Sequence, residues 1–224
     1  DQIDPNTGAL SFTQTDVSIP GNSALPVALV RRRSQGRLYK AYTNAEFGDW
    51  EYVVPRMKAL TAGSNTWTGG RCSASFSSQF PDVYHQGSGF QHDHTYSNGI
   101  TVEVGGSADQ LLEVPQGSQW PSGATHVTKN NWYFTCANSG TTFLGYDPNG
   151  NEYRFDRHIV LDGDPLSYVD ARSLTRKQNI LAATQVTDVH GNWVKYEYDT
   201  SGRLTQIHAN DGRSITLSYS GSSR

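Results

Sequence analysis

The sequence predicts an all-β protein of antiparallel hairpins with few or no helices, and three observations lead there. Aromatic residues make up 11% of 224 residues, on a polar background that holds 22 glycines. Such a composition suits half-buried sheets with polar outer faces. A pattern also recurs: Gly191-Asn192-Trp193-Val194-Lys195-Tyr196-Glu197-Tyr198-Asp199 returns 21 residues later as Gly212-Arg213-Ser214-Ile215-Thr216-Leu217-Ser218-Tyr219-Ser220. Each copy has a turn glycine, an alternating run and a Tyr seven residues after the Gly. Between them, Thr200-Ser201-Gly202-Arg203-Leu204-Thr205-Gln206-Ile207 forms a further turn-and-strand unit. A fixed period with turn glycines means stacked hairpins, so the chain reads as the beginning of an array.

The elements follow in order. Asp4-Pro5-Asn6-Thr7-Gly8 is a turn signal, leading into Ala9 to Val17, where Leu10, Phe12 and Val17 punctuate polar neighbours. After a second turn at Ile19-Pro20-Gly21-Asn22, the apolar run Leu25 to Val30 predicts a buried strand bounded by Arg31 to Arg33. Residues 35 to 70 read as irregular, with Asp49 to Val54 the best strand there. The stretch 71 to 99 is rich in Ser, Gly and His and reads as loop. Ile100 to Val104 alternates cleanly and stops at Gly105-Gly106. Ala108 to Val114 fits a helical turn or a strand, and Thr125 to Thr135 alternates around Val127, Trp132 and Phe134. Tyr146-Asp147-Pro148-Asn149-Gly150 is a strong hairpin turn between Thr142–Gly145 and Asn151–Phe155. In Arg176 to Val189 helix propensity competes with a strand entering the repeat; the repeat context favours strand for at least Ala183 to Thr187. Within the repeat, Val194, Tyr196 and Tyr198 share one strand face, with Trp193, Lys195 and Glu197 on the other. The turn glycines Gly191, Gly202 and Gly212 are expected at positive φ. A soft boundary near Asp162-Gly163-Asp164-Pro165 divides an irregular first part, residues 1–162, from the hairpin repeats, residues 163–224.

Composition narrows the function classes. A net charge of −3 argues against a general binder of nucleic-acid backbone. No apolar run reaches the roughly 20 residues that span a bilayer. The chain opens with Asp1-Gln2-Ile3 rather than Met, which points to processing or to a piece of something longer. Cys72 and Cys136 are the two cysteines. In a Ser-, Gly- and Tyr-rich β chain they fit one disulfide of an exported protein, with two buried thiols as the alternative.

The repeat motif, Gly191-Asn192-Trp193 through Tyr198-Asp199 and then Gly202-Arg203-Leu204-Thr205, closely resembles the YD repeat of Rhs proteins. The opening, Asp4-Pro5-Asn6-Thr7-Gly8-Ala9-Leu10 through Leu25-Pro26-Val27-Ala28-Leu29, resembles the start of the Rhs core of secreted bacterial proteins. Tyr146 to Phe155 resembles a degenerate earlier copy. The match covers roughly residues 1 to 33 and 145 to 220, and the middle is similar to the non-repeat insert some members carry. The resemblance implies a wound β-shell, secreted or at the cell surface, that encloses a C-terminal toxin domain or, in animal relatives, serves cell adhesion. The partners it implies are the remainder of that shell and the enclosed domain. Gly191, Tyr198, Asp199, Gly202, Arg203, Gly212 and Tyr219 are then structural. Ser220 departs from the Asp expected after Tyr219, and the family's self-cleavage sites belong to the far end of the shell. No catalysis and no cofactor are expected of this segment.

Two other site readings compete. His85, with His92 and His94 on an extended strand, could hold a metal together with Asp82 or Asp93, although the spacing matches no closed zinc pattern. Trp120, Trp132 and Tyr133, with Asn131 beside them, could stack on sugar rings. The alternative for Trp132 and Phe134 is a core position beside Cys136.

Overall fold

The computed structural model describes residues 2–3, 10–21, 23–35, 50–62, 67, 69–73, 83–85, 89–91, 99–115, 117, 119–167 and 173–220. All strand pairs in it are antiparallel. The Asp4–Gly8 turn signal lies outside the described residues.

A four-stranded sheet opens the chain: β1 (Gln2–Ile3), β2 (Leu10–Ile19), β3 (Val27–Gln35) and β4 (Glu51–Tyr52). The large sheet takes β5 (Arg56–Ala62) from the first half, while β6 (Val83–His85) and β7 (Gly89–Gln91) form a hairpin of their own. Then come β8 (Ile100–Val104), β9 (Ser107–Gln110), β10 (Leu112–Glu113), β11 (His126–Val127), β12 (Tyr133–Ala137) and, after one 3-10 turn, β13 (Thr142–Tyr146). The series closes with β14 (Glu152–Ser167), β15 (Ser173–Thr187), β16 (Trp193–Tyr198), β17 (Leu204–Ala209) and β18 (Ser214–Thr216).

Among the described residues the large sheet has 12 strands in the order β10 to β18, with β5, β8 and β9 as a side branch. The branch point is β15. Its Arg176–Ala182 stretch pairs with β5, whereas Gln185 to Thr187 pairs with β16 on the same edge. Along its other edge β15 pairs with β14. The four-stranded sheet covers the sheet face between the two arms. Leu25, Val27 and Tyr52 join Met57 and Ile100 from one arm, and Val194, Leu204, Ile207 and Ile215 from the other, in a single core.

Several expectations change here. The Arg176–Val189 ambiguity resolves as strand far beyond Ala183 because β15 is hydrogen-bonded on both edges, and a doubly paired strand overrides helix propensity. Strand β5 falls in the stretch read as irregular, with Met57, Ala59 and Thr61 turned inward. Ala108 to Val114 gives two short strands and no helical turn. Thr125 to Thr135 is broken by a tight turn at Thr128–Asn131, where Asn131 has φ 62°. Strand β14 runs through Asp162–Pro165, the soft boundary of the sequence reading. Ile100–Val104 and the alternation of Trp193–Tyr198 stand as expected, with Val194 and Tyr196 buried and Glu197 exposed.

Candidate functional site

The hairpins that carry the repeat share one turn. In the first, Asp147 N–H donates to Asn151 O and Gly150 N–H to Asp147 O. The Asp147 carboxylate accepts from the N–H groups of Asn149 and Asn151, each at 2.9 Å, and from Asn151 Nδ2 at 2.8 Å. Asp188 repeats this arrangement with His190, Gly191 and Asn192 at the same distances. At Asp199 an arginine stands where the Asn was: Arg203 donates through its N–H at 2.8 Å and its Nε at 2.7 Å. The last turn keeps the backbone pattern from Ala209 to Arg213, and Asp211 takes over the contact to Arg213 Nε. The fourth residue of every unit is a glycine, with φ from 79° to 88° at Gly150, Gly191, Gly202 and Gly212. An Asp whose carboxylate folds onto the following N–H groups ends one strand and aims the next. Hydrogen bonding to Asn192 and to Arg213 holds the Asp188 and Asp211 carboxyls below their ordinary value.

The repeat tyrosines anchor at backbone carbonyls. Tyr198 donates to Ala183 O at 3.1 Å and Tyr219 to Leu204 O at 2.6 Å, with the Arg203 guanidinium 4.6 Å above the Tyr219 ring.

Two polar devices bind the four-stranded sheet to the large one. Arg213 turns off the last hairpin and donates to Ile19 O, Leu25 O and Ser23 Oγ. At the opposite arm, Arg32 and Glu51 of the small sheet meet Arg56, Lys58 and Glu103 of the large one. Glu51 bridges Arg32 (2.7 Å) and Arg56 (2.6 Å), and Glu103 bridges Arg56 (2.8 Å), Arg32 (3.1 Å) and Lys58 (3.2 Å). Burial would raise the Glu51 carboxyl, but Arg56, Lys58 and Arg32 overcome it and hold it at about 2. Burial and the neighbouring Arg56 lower the Lys58 ammonium. Each carboxylate here is matched by more than one cation, so removing either acid would strand buried positive charge.

A third cluster seats Trp67, Arg71 and Cys72. Cys72 is disulfide-bonded to Cys136, 64 residues away, as the sequence allowed. Trp67 is buried against Phe143, and its N–H donates to Asn179 Oδ1 at 3.0 Å. Arg71 donates to Trp67 O and Thr141 O and reaches His158 Nδ1. Asn179 is fully buried and also donates to Thr61 Oγ1. Sequence reasoning missed this network, whose members come from four distant segments.

Among the described residues the other sequence-derived positions fall as follows. His85 ends β6 opposite Gly89; His92 and His94 lie outside the described residues. Trp132 and Tyr133 point to opposite sides of the sheet. Trp132 packs on Tyr153 (4.8 Å) and Phe134 in the core, while Tyr133 stacks on Tyr146 at 4.7 Å. Asn131 is exposed in its turn and Trp120 is half-buried.

Comparison of the chain with models of protein families and with curated proteins finds no match.

Proposed function

We propose that the chain is a non-catalytic structural segment of an Rhs/YD-repeat shell, part of a secreted or cell-surface bacterial protein, that encloses or presents a C-terminal toxin-like cargo. The observation that carries this reading is the recurring Asp-x-x-Gly turn. Asp147, Asp188 and Asp199 close three hairpins through the same backbone-capping scheme, and the repeat hairpins bury one face while leaving Glu197 exposed on the other. A unit that reproduces turn, twist and face at each copy is what winding a continuous wall requires. The carboxylates described above and His158 support the same reading, since their hydrogen bonds go to turns and to strand junctions. The test is the mass of the native gene product in its source cells, detected with an antibody against this chain. A band several times larger than 24.7 kDa is expected; a band at that mass would overturn the shell reading.

A further inference from the structure

We infer that Cys72–Cys136 is a redox latch: a dithiol reductant opens it and lets the stretch around Trp67, Arg71 and Cys72 swing out of a closed barrel whose wall stays folded. The inference rests on the barrel and its contents and not on the shell reading. The barrel closes at Leu111. Val104 pairs with Ser107 across Gly105-Gly106, and Leu111 N–H donates to Ile100 O, so residues 107, 109 and 111 bond toward β8. Leu112 pairs with Val127, and Val114 N–H donates to Thr125 O. Successive residues of a strand send their N–H and C=O groups to opposite edges, so β11 lies on the edge of this stretch that faces away from β8. Among the described residues the strands therefore run in a ring: β5, β8, β9 with β10, β11, β12, β13, β14, β15 and back to β5. A barrel of about 8 strands has an interior just wide enough to be filled by side chains or to hold one small ligand.

Met57, Ile100, Leu111, Phe134, Phe143 and Leu181 fill this interior from the wall, all fully buried. The rest is filled by a stretch that belongs to no strand. Trp67 lies against Phe143, and its N–H donates to Asn179 Oδ1 of β15. Arg71 donates to Thr141 O, and Cys72 N–H donates to Gly140 O. Contacts of this kind, outside any ladder, open locally at a lower free energy than the strands around them. The covalent tie is the bond from Cys72 to Cys136 of β12. Gly69 supplies a hinge between Trp67 and Cys72, with φ 63° and open space about it.

The sulfurs are placed for reduction. Cys136 is half-buried and Cys72 fully buried, so an incoming thiolate reaches Cys136 first. Its sulfur bonds to Cys136 Sγ, the Cys72–Cys136 bond breaks, and Cys72 leaves as a thiolate that takes up a proton. The second thiol of the reductant then displaces Cys136, which is protonated in turn. Two electrons and two protons have passed to the protein, and the dithiol has become a disulfide. Thr125 Oγ1 lies 3.8 Å from Cys72 Sγ and 3.6 Å from Cys136 Sγ, so one hydroxyl can turn its proton to whichever sulfur leaves. The Cys72 thiol that results has Thr135 O at 3.5 Å as an acceptor.

The test treats the oxidised 224-residue chain with dithiothreitol and follows trypsin cleavage after Arg71 by mass. Before reduction Arg71 is expected to resist the protease. After reduction, cleavage there should quicken on the order of tenfold or more, while cleavage after Arg56 and Arg176 of the barrel wall stays slow and circular dichroism is unchanged. The double variant Cys72→Ser, Cys136→Ser should be cut after Arg71 without any reductant. Thr125→Val should slow the reduction itself and leave cleavage of the reduced chain as it was. A bond that resists dithiothreitol in the folded protein overturns the inference, as does a reduced chain whose Arg71 stays protected. Equal quickening at Arg71, Arg56 and Arg176 overturns it too, because the disulfide would then hold the whole fold and not one stretch of it. An unaltered reduction rate in Thr125→Val removes the hydroxyl from the latch and overturns the step as written.

Discussion

His158 and Arg71 meet nitrogen to nitrogen, with Nδ1 of the imidazole 3.1 Å from Nη2 of the guanidinium. A guanidinium has no acceptor, so Nδ1 must accept and the ring proton sits on Nε2, which faces Asn179 Oδ1 at 3.2 Å. A second proton on this ring would point at a cation. Burial and Arg71 accordingly lower the His158 pKa against the opposing bond to Asn179. Burial also lowers His126 to about 4, in spite of Glu113.

Acid should therefore loosen the protein before its carboxylates titrate. With both folded pKa values depressed, the unfolded chain binds more protons below the ordinary histidine value of about 6.5. Stability is complete above that pH and falls as pH drops toward about 4. His126 alone accounts for on the order of 3 kcal/mol of the loss. His158→Gln keeps an oxygen for Arg71 and has no proton to gain, so its melting temperature should vary less with pH. Parallel curves for the variant and the parent between pH 7 and pH 4 would refute this.

Two turn glycines separate backbone strain from crowding. A Cβ on Gly191 meets nothing within 4 Å, whereas on Gly202 it would stand 2.9 Å from Ile159 Cγ1. Gly191→Ala should cost about 1 kcal/mol, from positive φ alone. Gly202→Ala should cost about 3 kcal/mol, since overpacking adds to strain. In an Ile159→Ala background the Gly202→Ala penalty should shrink to that at Gly191, measured as a double-mutant cycle in urea. An unchanged penalty would mean that Ile159 yields freely.

Arg213→Ala should cost about 2 kcal/mol, because four hydrogen bonds to the end of β2 and the loop after it go with it. Amide exchange should quicken in residues 25–33 more than in β14. Lysine should rescue only part of the loss, since one ammonium cannot reproduce the fork. Full rescue by lysine would show that charge alone holds the loop.

Replacing Cys72 and Cys136 together by Ser should lower stability by about 4 kcal/mol, the chain-entropy value for a closed loop of this size. Urea denaturation reads the change, and a loss under about 1 kcal/mol would show that the segment around Cys72 is held mainly by Trp67 and Arg71.

Much of this was legible locally. Asp147-Pro148-Asn149-Gly150 and the glycines at 191, 202 and 212 announce turns because positive φ and carboxylate capping are short-range chemistry. The buried face of β16 followed from alternation. What failed was non-local. The Lys-Gln-Asn-Ile-Leu-Ala-Ala run of β15 carries a helical preference that only its partners on both edges override. Trp132 read as a surface ring or a core ring until Tyr153 and Phe134 were seen against it. No spacing rule connects Thr61, Arg71, His158 and Asn179.

The fork at β15 also sets an order of assembly. Strand β5 leaves the ribosome long before its partner; Thr61 and Asn179, which bond across that seam, are 118 residues apart. The β14–β15 hairpin and those after it close between neighbours in sequence and should form first. Until β15 exists, β5 is paired on one edge only, by β8, so its apolar residues emerge as clients for a chaperone. A nascent chain halted before residue 176 should be open to protease across β5, and one carried past residue 187 should be shielded there.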